Sequence, residues 1–325
     1  MLRRAVNILL LFPFLFVVAC PAQAQEIFVS GGFVTDTRHG TSSGQWSVAY
    51  VQGLAEYAAF SISYINEGHQ PNHYRDGLAP QIWGRAAPFG PNLSLAIGMG
   101  PYVYFDTKVV DASDQYENLH GLGVISSATA TWYGLSPFLL QLRANHIRAP
   151  KTFDSFSATF GIGYLLNDNP VLEYATGGRK GRSATYNEIC FFLGKTVLNS
   201  AKSEQGDSMG IEYRRNIFRY LDWTIAWLSE GRKRPIGRYG VMSELWVVRG
   251  FFDERLEFGI GGGPYLVREK HSADEGQTTK LAGVVSLTAI YRFTSRFGLR
   301  SSFHRVVTDN SRDTDIFMGG VAVSF

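Results

Sequence analysis

The sequence is short of charge, and beyond residue 24 it has no long apolar run. Charged residues make up 18% of its 325 residues, whereas a soluble globular chain carries roughly 25%. Aromatic residues reach 14%, which argues against a disordered chain. The formal net charge is only +3, so there is no electrostatic case for a nucleic-acid partner. Since no later stretch approaches the ~20 apolar residues of a membrane helix, a helical membrane protein is also excluded.

Cysteine is nearly absent, and its placement depends on how the N-terminus is processed. Residues 1–24 predict a signal peptide, with two arginines at the start, an apolar segment at 8–19 and a small-residue cleavage site at 22–24. A lipoprotein signal ending at Cys20 is the alternative. Ordinary cleavage leaves Cys190 as the remaining cysteine, so an internal disulfide is not expected.

What the sequence does have is a persistent alternation of large apolar residues with small or polar ones. Residues 155–164, 256–260 and 321–325 show this period of two, which is typical of β-strands. Strands are predicted near 26–36, 46–53, 58–68, 77–88, 93–107, 122–133, 138–149, 155–166, 187–199, 208–217, 221–231, 238–250, 255–270, 281–292, 296–307 and 315–325.

The connections between these strands alternate in length. Short turns near 54–57, 89–92 and 134–137 are interleaved with longer polar loops, and Lys108–Gly121 is the longest of these outer loops. Short turns at one end and longer loops at the other are typical of a transmembrane antiparallel β-barrel of the outer membrane. A secreted soluble β-protein is the alternative.

Aromatic residues cluster at the short turns. Rings at one end of many strands indicate an interfacial girdle, because their amphipathic bodies favour the headgroup level of a membrane. The final Phe325 also resembles the C-terminal signal by which bacterial outer-membrane barrels are recognised for assembly. The aromatic residues concerned are Tyr57, Phe89, Trp132, Tyr133, Phe138, Phe218, Tyr220, Phe251, Phe252, Phe293 and Phe297.

The two halves of the chain repeat each other. Residues 57–102 align with 220–265 without a gap, and a Gly-x-Gly-Pro-Tyr run recurs at the end of both segments. We therefore predict two repeats of eight strands, at 25–166 and 187–325, joined by a polar connection at 167–186.

Eight of the repeated positions are candidate functional residues. Their parity places them on the face opposite the large apolar residues, which is the lumen of a membrane barrel. They either form ion pairs that compensate buried charge or shape what passes through. The candidates are Glu67, Arg75, Trp83 and Arg143 with their second-repeat counterparts Glu230, Arg238, Trp246 and Arg300.

The most favoured closure is a single sixteen-strand barrel, with two eight-strand barrels as the alternative. Inward positions of 93–107 and 255–270 are mostly small, and small residues fill a narrow barrel poorly. Sixteen strands would enclose an aqueous channel, into which the loop at 108–121 could fold as a constriction.

Each half resembles the lipid A 3-O-deacylases of the outer membrane, most specifically at Leu142-Arg143-Ala144-Asn145-His146. In that family a His lies two residues before a Ser and works with a Glu as a hydrolytic triad, so the resemblance implies an eight-strand unit and places His146 at the family position. Arg148 stands where the Ser is required, and Phe303 replaces the His in the second repeat. A triad that uses Ser155 or Ser157 is the remaining route to catalysis.

The sequence therefore favours an outer-membrane pore or export channel for small solutes or a polysaccharide. A catalytically lapsed deacylase-like barrel with a structural or lipid-binding role is the alternative, and an active lipid hydrolase is a third. No catalytic residue, metal or cofactor is expected. The expected partners are outer-membrane lipid, lipopolysaccharide and the barrel-assembly machinery.

Overall fold

The computed structural model describes residues 25–110, 115–166, 187–218, 220–231, 236–252, 254–270 and 277–325. The predicted signal peptide at 1–24 and the predicted connection at 167–186 lie outside these residues. Within the described part of the chain, no helix is long and apolar enough to cross a membrane.

The described residues form sixteen antiparallel strands. The first eight are β1 Gln25–Asp36, β2 Ser42–Ala55, β3 Ala58–Gln70, β4 His73–Ala86, β5 Leu93–Val109, β6 Tyr116–Leu135, β7 Phe138–Arg148 and β8 Ser155–Leu165. The next eight are β9 Asn187–Leu198, β10 Gln205–Phe218, β11 Leu221–Ser229, β12 Arg238–Phe251, β13 Leu256–Lys270, β14 Gln277–Arg292, β15 Phe297–Val307 and β16 Thr314–Ser324.

Strands β1–β8 close into one barrel, because β1 pairs with both β2 and β8. Val29 of β1 lies opposite Val48 of β2 and Ile162 of β8. Strands β9–β16 close into a second barrel in the same way. Leu193 of β9 lies opposite Met209 of β10 and Gly319 of β16.

The prediction of an all-β antiparallel barrel protein is confirmed, and so is the alternative of two eight-strand barrels. The favoured closure into one sixteen-strand barrel is wrong. Strand β8 completes the hydrogen bonding of β1, and β16 completes that of β9, so the edges that a joint barrel would need are already paired.

Two of the small inward residues that favoured a wide barrel, Gly98 and Gly261, make room for rings on the neighbouring strand. A Cβ added to Gly98 would lie 2.4 Å from Cδ2 of Trp83, and one added to Gly261 would lie 2.4 Å from Cδ2 of Trp246. A narrow barrel is therefore filled here by one large side chain over one glycine, as dense packing requires. Strand composition alone does not show that pairing.

Several strands extend further than predicted, which shortens the loops. Strands β5 and β6 continue through most of the predicted loop at 108–121, so the connection between them covers only residues 110–115. Residues 111–114 of this connection lie outside the described residues, so the inward-folding constriction expected from the sequence stays a prediction.

Each strand points alternate side chains into and out of its barrel. The inner face carries nearly all the buried charged and polar side chains. Apolar side chains share this interior, among them Ile65, Tyr104 and Ile125 in the first barrel and Leu228, Val267 and Ile316 in the second.

Candidate functional site in the barrel interiors

The outside of each barrel is apolar. Large aliphatic and aromatic side chains project from both sheets, and examples are Val29, Phe33, Ile97, Met99 and Leu142 in the first barrel and Phe191, Leu193, Leu266, Leu281 and Phe317 in the second. A closed sheet satisfies every backbone group without water, and an apolar outer face with a polar inner one suits hydrocarbon. The protein is therefore an outer-membrane β-barrel protein.

Most of the predicted girdle lies on this outer surface. Tyr57, Phe89 and Phe218 are exposed beside the short turns. Phe251 is an exception, because it is buried against Phe258 with ring centroids 5.9 Å apart. The hydroxyl of Tyr133 also points inward and donates to Oε1 of Glu26 at 2.9 Å.

All eight candidate residues lie inside the barrels, where their side chains are between 0% and 5% exposed. The two tryptophans occupy equivalent places. Trp83 covers Gly98 and donates from Nε1 to Oγ of Ser61 at 2.8 Å. Trp246 covers Gly261 and donates from Nε1 to Oγ1 of Thr224 at 3.0 Å.

Glu67 and Arg75 form a buried ion pair in the first barrel. Nε of Arg75 lies 2.5 Å from Oε2 of Glu67, and Nη2 lies 2.9 Å from Oε1, so the contact is bidentate. Tyr102 donates to Oε2 at 2.9 Å, and the hydroxyl of Ser155 donates to Oε1 at 2.5 Å. The Arg75 guanidinium also stacks on the ring of Phe153, with its Cζ 3.7 Å from the centroid.

Glu230 and Arg238 repeat this pair in the second barrel, at 2.7 Å between Nε and Oε1. Thr314 takes the place of the first barrel's Ser155, because its hydroxyl donates to Oε2 of Glu230 at 2.6 Å. Glu269 adds a second carboxylate 3.8 Å from Nη1 of Arg238. The predicted pairs are thus brought together in both barrels, and the second barrel adds charge around its pair.

Arg143 is buried in the middle of the first barrel without an acidic partner among the described residues. Its guanidinium donates to Oδ1 of Asn145 at 2.7 Å, to Oγ of Ser63 at 3.2 Å and to Oε1 of Gln81 at 2.6 Å. Its Cζ lies 5.3 Å from the centre of the Trp83 ring, within the range of a cation–π contact. Neutral groups alone compensate this charge.

Arg300 lies against Trp246 in the second barrel at a similar distance, 5.4 Å. Unlike Arg143, it is paired with acids. Its Nη1 contacts Oε1 of Glu212 closely and lies 3.8 Å from Oε1 of Glu188.

A second ion-pair group next to these residues was not predicted from the sequence. Arg214 lies 2.5 Å from Asp222 and 2.7 Å from Glu257. Arg292 bridges onward, at 3.3 Å from Glu257 and 3.0 Å from Glu188. Inward parity is the signal that could have identified all five residues, because each occupies a lumen-facing position of its strand.

The deacylase-like position lies on the opposite face. His146 is exposed on the outer surface of β7, and Arg148 is exposed two residues further on. The two serines considered as substitutes, Ser155 and Ser157, are 1% and 2% exposed inside the barrel. A hydroxyl on the inner face cannot reach an imidazole on the outer face through the sheet. Phe156, which also points outward, is the residue opposite His146 in β8.

No family model and no curated protein matches the chain. Among solved structures, the N-terminal β-barrel domain of Pseudomonas aeruginosa OprF is similar at 12% identity and a TM-score of 0.35, over 44% of this chain and 99% of that one. The NanC porin is similar at 8% identity and a TM-score of 0.24, over 91% of this chain and 98% of that one. Pseudomonas aeruginosa OpdQ is similar at 9% identity and a TM-score of 0.23, over 94% and 98% respectively. These likenesses are weak, so the function is argued from the chain's own geometry.

Proposed function

We propose that the protein is a narrow outer-membrane pore, in which the lumen of each barrel is blocked by that barrel's own charged side chains. The observation that carries this proposal is the buried charge inside both barrels. Replacing buried ion pairs by apolar side chains is often neutral or stabilising, so the pairs are poorly explained by stability alone. Ionisable groups at membrane depth commonly mark a path for ions or protons.

The proposed cargo is a small ion rather than a polysaccharide. A channel for a sugar chain would need aromatic rings in the lumen that are free to stack on sugars. Trp83 and Trp246 lie over glycines and are 5% and 0% exposed, so neither offers a free face. Eight strands also leave an interior just wide enough for side chains.

Passage requires that the ion pairs open. In the first barrel the guanidinium of Arg75 fills the space between Glu67 and the loop residue Phe153. In the second, Arg238 holds the corresponding place beside Glu230. Loss of either arginine removes the largest side chain at that level and leaves a carboxylate facing the path.

The test is conductance of the full chain in planar bilayers. Arg75→Ala and Arg238→Ala are expected to raise the frequency or size of the current steps and to favour cations, because each leaves an uncompensated carboxylate. Arg148→Ala is the matched control, since this arginine is exposed on the outer face and should leave conductance unchanged. A protein that is silent in its native form and in both interior variants is not a pore.

A second candidate is a structural or lipid-binding barrel related to the deacylases but without their activity. The exposed His146 and Arg148 on the lipid side favour it, because a cation there can contact a lipopolysaccharide phosphate. Two results together would support this candidate over the pore. The protein would show no conductance in bilayers, and lipopolysaccharide would co-purify with the native protein but not with Arg148→Ala.

A further inference from the structure

Three buried side chains from different strands of the second barrel meet in one hydrogen-bonded row. The hydroxyl of Ser286 in β14 lies 2.6 Å from Oε1 of Glu244 in β12 and 2.7 Å from Nδ1 of His304 in β15. Exposure of the three residues is 1% for Glu244, 0% for Ser286 and 1% for His304. The row has no part in the ion pairs proposed to close the pore.

The sheet register fixes this row beside the tryptophan layer. Ser286 is the direct partner of Gly261 in β13 and of His304 in β15. Because Trp246 lies over Gly261, its ring also meets the imidazole edge-on, with centroids 6.4 Å apart. The row therefore lies in the middle of the barrel, where water access is restricted.

The first barrel has the same row built from amides. Ser127 is the direct partner of Gly98 and of Asn145. Gln81 donates from Nε2 to Oγ of Ser127 at 3.0 Å, and Ser127 donates to Oδ1 of Asn145 at 2.8 Å. A serine thus bridges two side chains in both barrels, but only the second barrel places groups that titrate on either side of it.

No arginine or lysine among the described residues pairs with Glu244, whose Oε2 lies 3.7 Å from Nδ1 of His304. Arg300 and Glu212 are the charged side chains that act on it electrostatically, and Arg300 also acts on His304. Arg300 is already paired with Glu212. A carboxylate at this depth with only a hydroxyl and a neutral imidazole beside it is costly. One added proton makes the row neutral.

That proton can be added without the loss of either hydrogen bond. When Glu244 is ionised and the imidazole carries its hydrogen on Nδ1, Nδ1 donates to Ser286 and Ser286 donates to Oε1. When Glu244 is protonated, Oε1 donates to Ser286 and Ser286 donates to an unprotonated Nδ1. Donors and acceptors exchange along the row, while both hydrogen bonds are kept.

We propose that Glu244, Ser286 and His304 form a proton-binding site inside the second barrel, in which the Ser286 hydroxyl passes a proton between the carboxyl and the imidazole. In this step the O–H bond at Oε1 breaks as the serine oxygen takes that proton. The serine gives its own hydrogen to Nδ1, and the hydroxyl is regenerated. A neutral acid and a neutral imidazole become a carboxylate and an imidazolium with no change in total charge.

Nε2 of His304 is the end of the row at which a proton enters or leaves, because Oε2 of Glu244 lies only 3.7 Å from Nδ1 of His304. Oε2 of Glu244 and Nε2 of His304 are buried and have no hydrogen-bond partner among the described residues. The order of the row also distinguishes it from a hydrolytic triad, in which the imidazole lies between the hydroxyl and the acid. Here the hydroxyl lies in the middle, which suits transfer of a proton rather than attack on an ester.

The test is pH-difference infrared spectroscopy of the full chain, folded in lipid, with heat-modifiable gel mobility as the check on folding. The native protein is expected to show a carbonyl band of a protonated carboxylic acid that changes with pH. Glu244→Gln should abolish that band, and His304→Asn should move the pH at which it changes. Ser286→Ala should remove the hydrogen-bonded link and leave the direct 3.7 Å contact, so that the carboxyl band responds less to His304→Asn.

The matched control uses the first barrel. Ser127→Ala should leave the band unchanged, because that row contains no acid. If Glu244→Gln does not fold, folded His304→Asn decides the matter, because the band should then change at a different pH. The proposal is overturned if the native band persists in folded Glu244→Gln, or if the pH at which the band changes is the same in folded His304→Asn. Neither result depends on whether the protein conducts.

Discussion

The middle layers of the two barrels share a backbone plan and differ in charge. Each has a tryptophan over a glycine and a serine beside that glycine in the next strand. Around this plan the first barrel sets a single arginine among amides and hydroxyls, whereas the second sets Arg300 among carboxylates. Each barrel is consequently a natural reference for the other.

The comparison separates packing from electrostatics. In both barrels the interior is filled by a tryptophan ring over a glycine. The charge of the interior is set by the neighbouring polar residues, and these differ between the two barrels. Gln81 and Glu244 show this most directly, because they are equivalent in the repeat and differ by an amide against an acid.

The largest expected difference comes from removing the central arginine. Arg300→Met should lower the free energy of unfolding by about 3–5 kcal/mol, because it leaves the buried carboxylate of Glu212 without its close cation and leaves Glu188 with Arg292 alone. Arg143→Met should cost only about 1–3 kcal/mol, because its partners are neutral groups. Denaturant unfolding of each variant in lipid vesicles measures both values, and equal losses would contradict the electrostatic contrast.

A smaller effect should be the same in both barrels. Gly98→Ala and Gly261→Ala each place a methyl group 2.4 Å from a tryptophan ring, so each should destabilise by about 1–3 kcal/mol through overpacking. Gly84→Ala is the control, because a Cβ there meets nothing within 4 Å. Losses that differ strongly between Gly98 and Gly261 would break the claim that the packing plan is shared.

A smaller effect still concerns the loop before β8. Burial acts to raise the pKa of Asp154, but the Ala149 N–H, which donates at 3.0 Å, and the Arg38 guanidinium at 3.1 Å hold it below its usual value. A lowered pKa contributes stability above the unfolded value of about 3.9 and loses it as pH falls through the folded value.

Asp154→Asn should therefore make the first barrel less stable at neutral pH and should reduce the loss of its stability as the pH falls. Arg38→Ala should move that loss of stability to higher pH, because the carboxyl loses one of the groups that lower its pKa. The free energy of unfolding measured across acidic pH checks both variants, and an unchanged pH dependence in Asp154→Asn would show that Asp154 does not contribute.

The smallest expected effect lies on the outer face of the first barrel, at His146. His146→Ala should leave lipid A unchanged in expressing cells, because the hydroxyls of Ser155 and Ser157 lie inside the barrel and cannot reach the outward imidazole. Mass analysis of extracted lipid A is the measurement. Loss of an ester-linked acyl chain with the native protein, abolished by the substitution, would falsify the absence of deacylase chemistry.

The sequence predicted what depends on strand periodicity and missed what depends on partners across the sheet. The inward placement of Glu67 and Arg75 follows from alternation along single strands. The closure of each barrel does not follow from this alternation, because it depends on which ring covers which glycine, as Trp83 covers Gly98. Ser286 and His304 were missed for the same reason, since they are far apart in sequence and neighbours only in the register of β14 and β15.

The seam between β1 and β8 has a kinetic consequence. Closing the first barrel joins Glu26 to Leu165, whereas a joint barrel would have to join the first strand to β16, a loop about twice as long. By loop-closure entropy, doubling a loop costs only ~0.6 kcal/mol, so chain length barely discriminates between the two topologies. The choice between the two topologies therefore depends on side-chain packing and on the order in which strands pair, because the shorter loop closes first. Substitutions that loosen the tryptophan layer should then expose the chain to mispaired strands during assembly, with effects on yield larger than those on stability.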